Sequence, residues 1–224
     1  MSHTKEELAR IIHEVVAKNK AEITDELLLE IVLTGGESEP FSLRQRGGAK
    51  LYIFSIPLRL LPDEWYEKGV ALASYSYQRQ WPEIKLTNYV GGVIAHNTVV
   101  QEQGAYEVLF VSPDNEKRIL EGASFNFFAV REGVIITPPL DGTILQGITR
   151  KITIDLAEQE GITVREEHFS LGDLNTMDEA FITSSTRNAV TVVKVDDIVI
   201  GDGTPGEIST KIRERFQKYL ESYT

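Results

Sequence analysis

A single cation, Lys85, stands in the run "WPEIKLTNYVGG" from Trp81 to Gly92, between Ile84 and Leu86. A lysine in that setting either lays its stem on apolar neighbours and keeps its ammonium in water, or presents a nucleophilic amine in a dry pocket. Glu121, in "EGASFNFF", follows an apolar stretch and precedes small residues, with Asn126 five positions on. Gly147-Ile148-Thr149 opens a helical pattern, and the free amides of a helix start attract anions. The Thr149 hydroxyl adds a donor there. "TSSTRN", Thr183 to Asn188, brings hydroxyls, backbone N–H groups and the Arg187 guanidinium together as a second anion cradle. Taken singly, these fit ordinary roles: a surface lysine, a turn acid, a helix cap, a polar loop.

The elements that must position them can be read from periodicity and punctuation. Thr4-Lys5-Glu6-Glu7 has the form of a capping box, and Leu8, Ile11, Ile12, Val15 and Val16 follow at helical spacing, so a helix is expected over about 5–18. "LLLEIVLTGG" and "KLYIFSIP" read as strands, with a polar, Gly-rich flexible loop from Gly35 to Lys50 between them. Pro62 in "LRLLPDEW" marks a domain boundary, giving a small unit over 1–61 and a larger one over 66–224. "GVALASYSY" is a strand, and a helix follows Lys85 over about 88–103, weakened by Gly91 and Gly92. From Tyr106 to Pro139 the chain reads as short strands turning at Pro113-Asp114-Asn115 and Glu132-Gly133. A helix from about Ile148 ends at Gly161, then come strands in "EAFITSS", "AVTVVKVD" and "IVIG", and a closing helix carries Ile208, Ile212, Phe216 and Leu220 on one face. The irregular mixture defines a mixed α/β or α+β fold.

Composition narrows the function. The 224 residues contain no cysteine, which removes disulfides and thiolate metal sites. The net charge of −11, with basic residues scattered among acids, disfavours nucleic acid and anionic membranes as partners. The opening "MSHTKEELAR" has no apolar signal-peptide core, and no run reaches membrane-spanning length, so a cytoplasmic location is expected. His3, His13, His96 and His168 lack metal-ligand spacing, and no metal is expected. Walker, GxGxxG, HExxH and GxSxG motifs are missing.

One cofactor unites the remaining groups. Pyridoxal phosphate needs an amine for its aldehyde, an acid facing its ring nitrogen, and donors for its phosphate. The chain offers a candidate for each.

"EGASFNFFAVREGVIITPPLDGTILQGITRK" also resembles the long signature of the class IV (fold type IV) pyridoxal-phosphate aminotransferases, with "IKLTNYVGG" similar to the lysine segment and "FITSSTRNAVTVV" to the phosphate and substrate turn. That family includes branched-chain and D-amino acid aminotransferases and aminodeoxychorismate lyase. The resemblance implies two α/β domains, the larger β-barrel-like, a homodimer, and amino transfer between an amino acid and a 2-oxo acid. It assigns Lys85 as the cofactor-bonded amine and proton shuttle. Glu121 would meet the ring nitrogen, and Tyr89 the phenolic oxygen. Ile148, Thr149 and Ser185 would hold phosphate, Thr186 would lie near the substrate carboxylate, and Asn126 would order its turn. Arg187 departs from several relatives, as a carboxylate clamp or an outward-facing arginine. Such proteins ordinarily carry roughly 50 more residues before this first helix, on the scale of a small domain, so a shortened small domain is expected. A lyase, or a chain that keeps the fold without the activity, are the alternatives.

Overall fold

A computed structural model describes residues 4–19 and 26–222. The chain divides into two compact units, 1–60 and 61–224. In the first, helix α1 (Lys5–Asn19) starts at the capping box: the Glu7 amide donates to Thr4 Oγ1 (3.2 Å), and the Thr4 amide donates to Glu7 Oε2 (2.8 Å). Strands β1 (Leu27–Thr34) and β4 (Lys50–Pro57) pair antiparallel along their whole length. The segment between them, expected as a flexible loop, contains a small hairpin of β2 (Glu37–Ser38) and β3 (Gln45–Arg46). Backbone ladder bonds organise this polar stretch, and its side-chain pattern gives no sign of them.

The second unit opens with helix α2 (Asp63–Lys68) and strand β5 (Val70–Ser76). An irregular loop carries Lys85 to helix α3 (Val90–Ala95), which runs on through a π turn (His96–Val100) into α4 (Gln101–Gln103). Gly91 and Gly92 do not break it. A Cβ on Gly91 would enter the Tyr77 ring, so the glycine lets the helix seat against that side chain. Strands β6 (Glu107–Val111), β7 (Ile119–Gly122), β8 (Asn126–Arg131) and β9 (Val134–Thr137) follow. Helix α5 (Ile148–Gln159) leads to β10 (Val164–Glu166), a short edge strand the sequence pattern does not announce. Strands β11 (Glu179–Ser184), β12 (Asn188–Val195) and β13 (Ile198–Val199) and helix α6 (Glu207–Glu221) complete the unit.

The strands run β10-β9-β8-β11-β12-β5-β6-β7, and a further β7–β8 pairing joins β7 back to β8. Six strands therefore form a closed, barrel-like ring. The register of the closing pairing is Glu121 opposite Asn126. Alternation of side chains across the strands sorts the core. Leu109, Val111, Ile119, Phe127 and Ala129 belong to one apolar cluster; Val108, Phe110 and Leu120 pack with Ala95 and Val100 of the helical segment. Phe128, Val130, Phe181 and Ala189 form a third cluster with Ala157 of α5 and Ile212 of α6. Glu179 holds α6 in place, its two carboxylate oxygens accepting the Ile208 and Ser209 amides (2.9 and 2.8 Å).

Phe128 and Phe181 face each other across β8 and β11 as a stacked pair, 4.8 Å between centroids, and both are fully buried. Phe181→Ala removes a large buried ring and leaves a cavity, so urea unfolding should show a loss of about 3–5 kcal/mol. A loss below about 1 kcal/mol would mean that this layer does not hold α5 and α6 to the sheet.

Candidate active site

Beside the barrel's closing seam is a cavity of about 360 Å³. Six expected residues line it together: Lys85, Tyr89, Glu121, Ile148, Thr149 and Ser185. They come from segments far apart in the chain, and the closed ring brings them to one place.

Glu121 is the most constrained. Its residue is only 5% exposed, yet it lies in the cavity wall. Oε1 accepts from Arg79 Nε (2.8 Å) and Nη2 (2.7 Å). Oε2 accepts from the Leu145 amide (3.0 Å) and Asn126 Nδ2 (3.5 Å). Burial pushes the carboxyl above its ordinary range, while the Arg79 charge, the Leu145 amide and the Lys85 charge pull the other way. Asn126 does order its turn, because Nδ2 also donates to the Leu145 carbonyl (2.9 Å). A Cβ on Gly147 would collide with Asn126 Oδ1, so glycine is needed where this loop enters α5.

Lys85 lines the cavity, and its residue is exposed. It sits on an irregular loop, outside any strand or helix. Among the described residues, its ammonium has no hydrogen bond or ion pair.

Helix α5 points its start at the same space. Its N-cap, Gly147, supplies no side-chain cap, so the first amides are free for an anion. Arg150, 2% exposed, fixes the helix start by donating to the Pro138 carbonyl and to Glu166 Oε2, both at 2.8 Å. Across from it, Thr183 and Ser184 also line the cavity, and their hydroxyls have no protein partner among the described residues. Thr183 is 1% exposed. A buried hydroxyl without a partner is costly; both of these oxygens are closed off from solvent, so the donors open to an anion are the free amides of the uncapped helix start and the exposed Ser185.

Thr186 and Arg187 are outside the cavity wall. Arg187 instead donates from Nη1 to Ser124 Oγ (2.9 Å), lies 3.6 Å from Glu107 Oε2, and covers the Tyr106 ring at 5.3 Å. It is neither an outward-facing side chain nor one aimed at the cavity. Burial pushes the Tyr106 phenol up to about 12, which keeps it neutral beside that guanidinium. Sequence reasoning also missed Arg79, which lines the cavity and grips Glu121; no motif marks it. Thr183 and Ser184 were visible only as part of a hydroxyl-rich turn.

The profile of the family described as amino-transferase class IV matches residues 1–195. The chain belongs to the class IV aminotransferases. A Methanocaldococcus jannaschii protein provisionally named a branched-chain-amino-acid aminotransferase is 33% identical over 96% of this chain and 73% of its own length. A D-alanine aminotransferase of Staphylococcus haemolyticus is 34% identical over 62% of this chain, which spans about half of that relative, 48%. Among solved structures, the branched-chain aminotransferase of the thermophilic archaeon Thermoproteus uzoniensis, determined with norvaline, superposes with a TM-score of 0.84 at 29% identity, over 99% of this chain and 73% of the other. Class IV aminotransferases use pyridoxal phosphate, and the acid, the amine and the unpartnered donors around this cavity fit that group.

The orphan hydroxyl and the open one make different predictions. Thr183→Val keeps the side-chain shape and removes a buried donor that has no protein partner, so urea unfolding of the cofactor-free protein should show stability unchanged or raised by up to about 1–3 kcal/mol. Ser185→Ala removes a hydroxyl at the cavity wall, and pyridoxal phosphate should then bind about tenfold more weakly by fluorescence titration. Unchanged affinity in Ser185→Ala would remove Ser185 from the anion site.

Proposed function

We propose that this chain transfers an amino group between an amino acid and a 2-oxo acid, with pyridoxal phosphate held in the cavity beside Glu121. The observation that carries the reading is the meeting of Lys85, Glu121, Ser185 and the uncapped start of α5 in one cavity. When bound, pyridoxal phosphate supplies an electron sink for the substrate's α-carbon. In this reading Lys85 would hold the cofactor through its amine and would move a proton at the substrate α-carbon. Glu121 would face the ring nitrogen as a hydrogen-bond acceptor and favour its protonated form. Tyr89 lies against the phenolic oxygen. The Ile148 and Thr149 amides, the Thr149 hydroxyl and the Ser185 hydroxyl hold the phosphate. Thr186, on the turn just after Ser185, would lie near the substrate carboxylate, and Arg187, already engaged by Ser124 and Glu107, would brace that turn.

The names of the relatives support a branched-chain L-amino acid or a D-amino acid as donor. We further propose that units 1–60 and 61–224 are the small and large domains of this architecture, and that the protein works as a cytoplasmic homodimer. Consistent with that, no helix among the described residues is long and apolar enough to cross a membrane.

The test is to load the purified protein with pyridoxal phosphate, remove the excess, reduce with borohydride and map the labelled peptide. A yellow protein labelled on Lys85, with the label lost in Lys85→Ala, is the expected result. A colourless, unlabelled protein would rule out the reading. Turnover that requires a 2-oxo acid identifies a transferase; product formed without one identifies a lyase.

A further inference from the structure

Arg79 stands on the loop between β5 and Lys85, and every nitrogen of its guanidinium is engaged. Nε and Nη2 converge on Glu121 Oε1 (2.8 and 2.7 Å). Nη2 also donates to the Pro82 carbonyl (2.7 Å), and Nη1 to the Ile84 carbonyl (3.3 Å). Those two carbonyls belong to the turn that delivers Lys85. The same turn holds Trp81 at a left-handed φ of +49° and is tied internally by the Ile84 amide to the Trp81 carbonyl (3.0 Å). The ion pair is largely withdrawn from water, the Arg79 side chain being 15% exposed and that of Glu121 6%.

The charged groups facing Glu121 are Arg79 and Lys85, both on this loop. The other donors around it, Asn126 from β8 and the Leu145 amide from the segment before α5, are neutral. A carboxyl so buried keeps its proton unless a permanent cation faces it, and a guanidinium does not give up its charge. Lys85 cannot be that cation throughout, because its amine is the group the chemistry uses.

We propose that Arg79 is a positioning residue with two tasks: it holds Glu121 ionised in the cavity wall, and it ties the Lys85 turn to that same carboxylate. Acid and amine are thereby set by one side chain. The functional meaning rests on the pyridoxal-phosphate reading above. The test does not, since it uses the cofactor-free chain, whereas borohydride labelling checks that reading separately.

The measurement is urea unfolding from about pH 5 to about pH 8 for the parent, Arg79→Gln, Glu121→Gln and the double variant. Without the guanidinium, folded Glu121 retains its proton to higher pH than unfolded Glu121. The folded state then binds more protons, so stability falls as pH rises. The gap in urea midpoint between parent and Arg79→Gln should therefore widen with pH. With Glu121→Gln in the background the widening should disappear, leaving a pH-independent remainder from the Pro82 and Ile84 carbonyls. A gap that is constant with pH, or that widens equally without Glu121, overturns the proposal. If Arg79→Gln alone shows no cooperative transition, its recovery in the double variant supports the proposal, and its continued absence overturns it.

Discussion

A carboxylate kept out of water is the constraint around which this site is built. Glu121 is buried at the point where β7 meets β8, and its oxygens take donors from the loop after β5, from β8 and from the segment before α5. Those three segments also carry or precede Lys85, Asn126 and the helix start. Satisfying one buried charge therefore fixes the spacing of the groups around the cavity. Removing a partner from such a pair ordinarily costs roughly 3–5 kcal/mol, because the other charge is left stranded. The arrangement contributes to a single well-defined geometry more than to stability.

The opposite side of the cavity follows another rule. The amides at the start of α5 and the hydroxyls of Thr183 and Ser184 are left without protein partners. An interior normally satisfies such groups. Arg150 and Gly147 hold the helix start in place with its first amides uncapped beside the cavity. One side of the cavity is thus bonded around its acid and the other left open at a helix start.

How much of this could be read from the sequence depends on the kind of interaction. The capping box at Thr4 and Glu7 is a local pattern, and it forms as written. Strands β5 to β9 follow from short apolar runs cut by turn residues, α5 from its boundaries at Ile148 and Gly161, and α6 from apolar periodicity. Glu121 and Thr149 stand in one long motif and Lys85 in a second, shorter segment that resembles the same family, so their meeting could be anticipated. Arg79 could not: its partners are a carboxylate 42 positions away and two nearby carbonyls, and no spacing encodes either. The exposure of Lys85 was missed because an apolar neighbourhood in sequence says nothing about what covers a loop in space. The hairpin of β2 and β3 and the edge strand β10 rest on backbone bonds, which side-chain patterns do not report.

The barrel is latched by the register pair that contains the site's acid. Glu121 and Asn126 therefore answer to two demands at once, one from chemistry and one from architecture. A descendant of this chain that abandoned its reaction would still meet resistance to change at those positions, because the ring of strands closes there. Ser185, exposed on the turn after β11, would drift more freely. The two kinds of residue separate what such a protein must keep to remain folded from what it must keep to remain an enzyme.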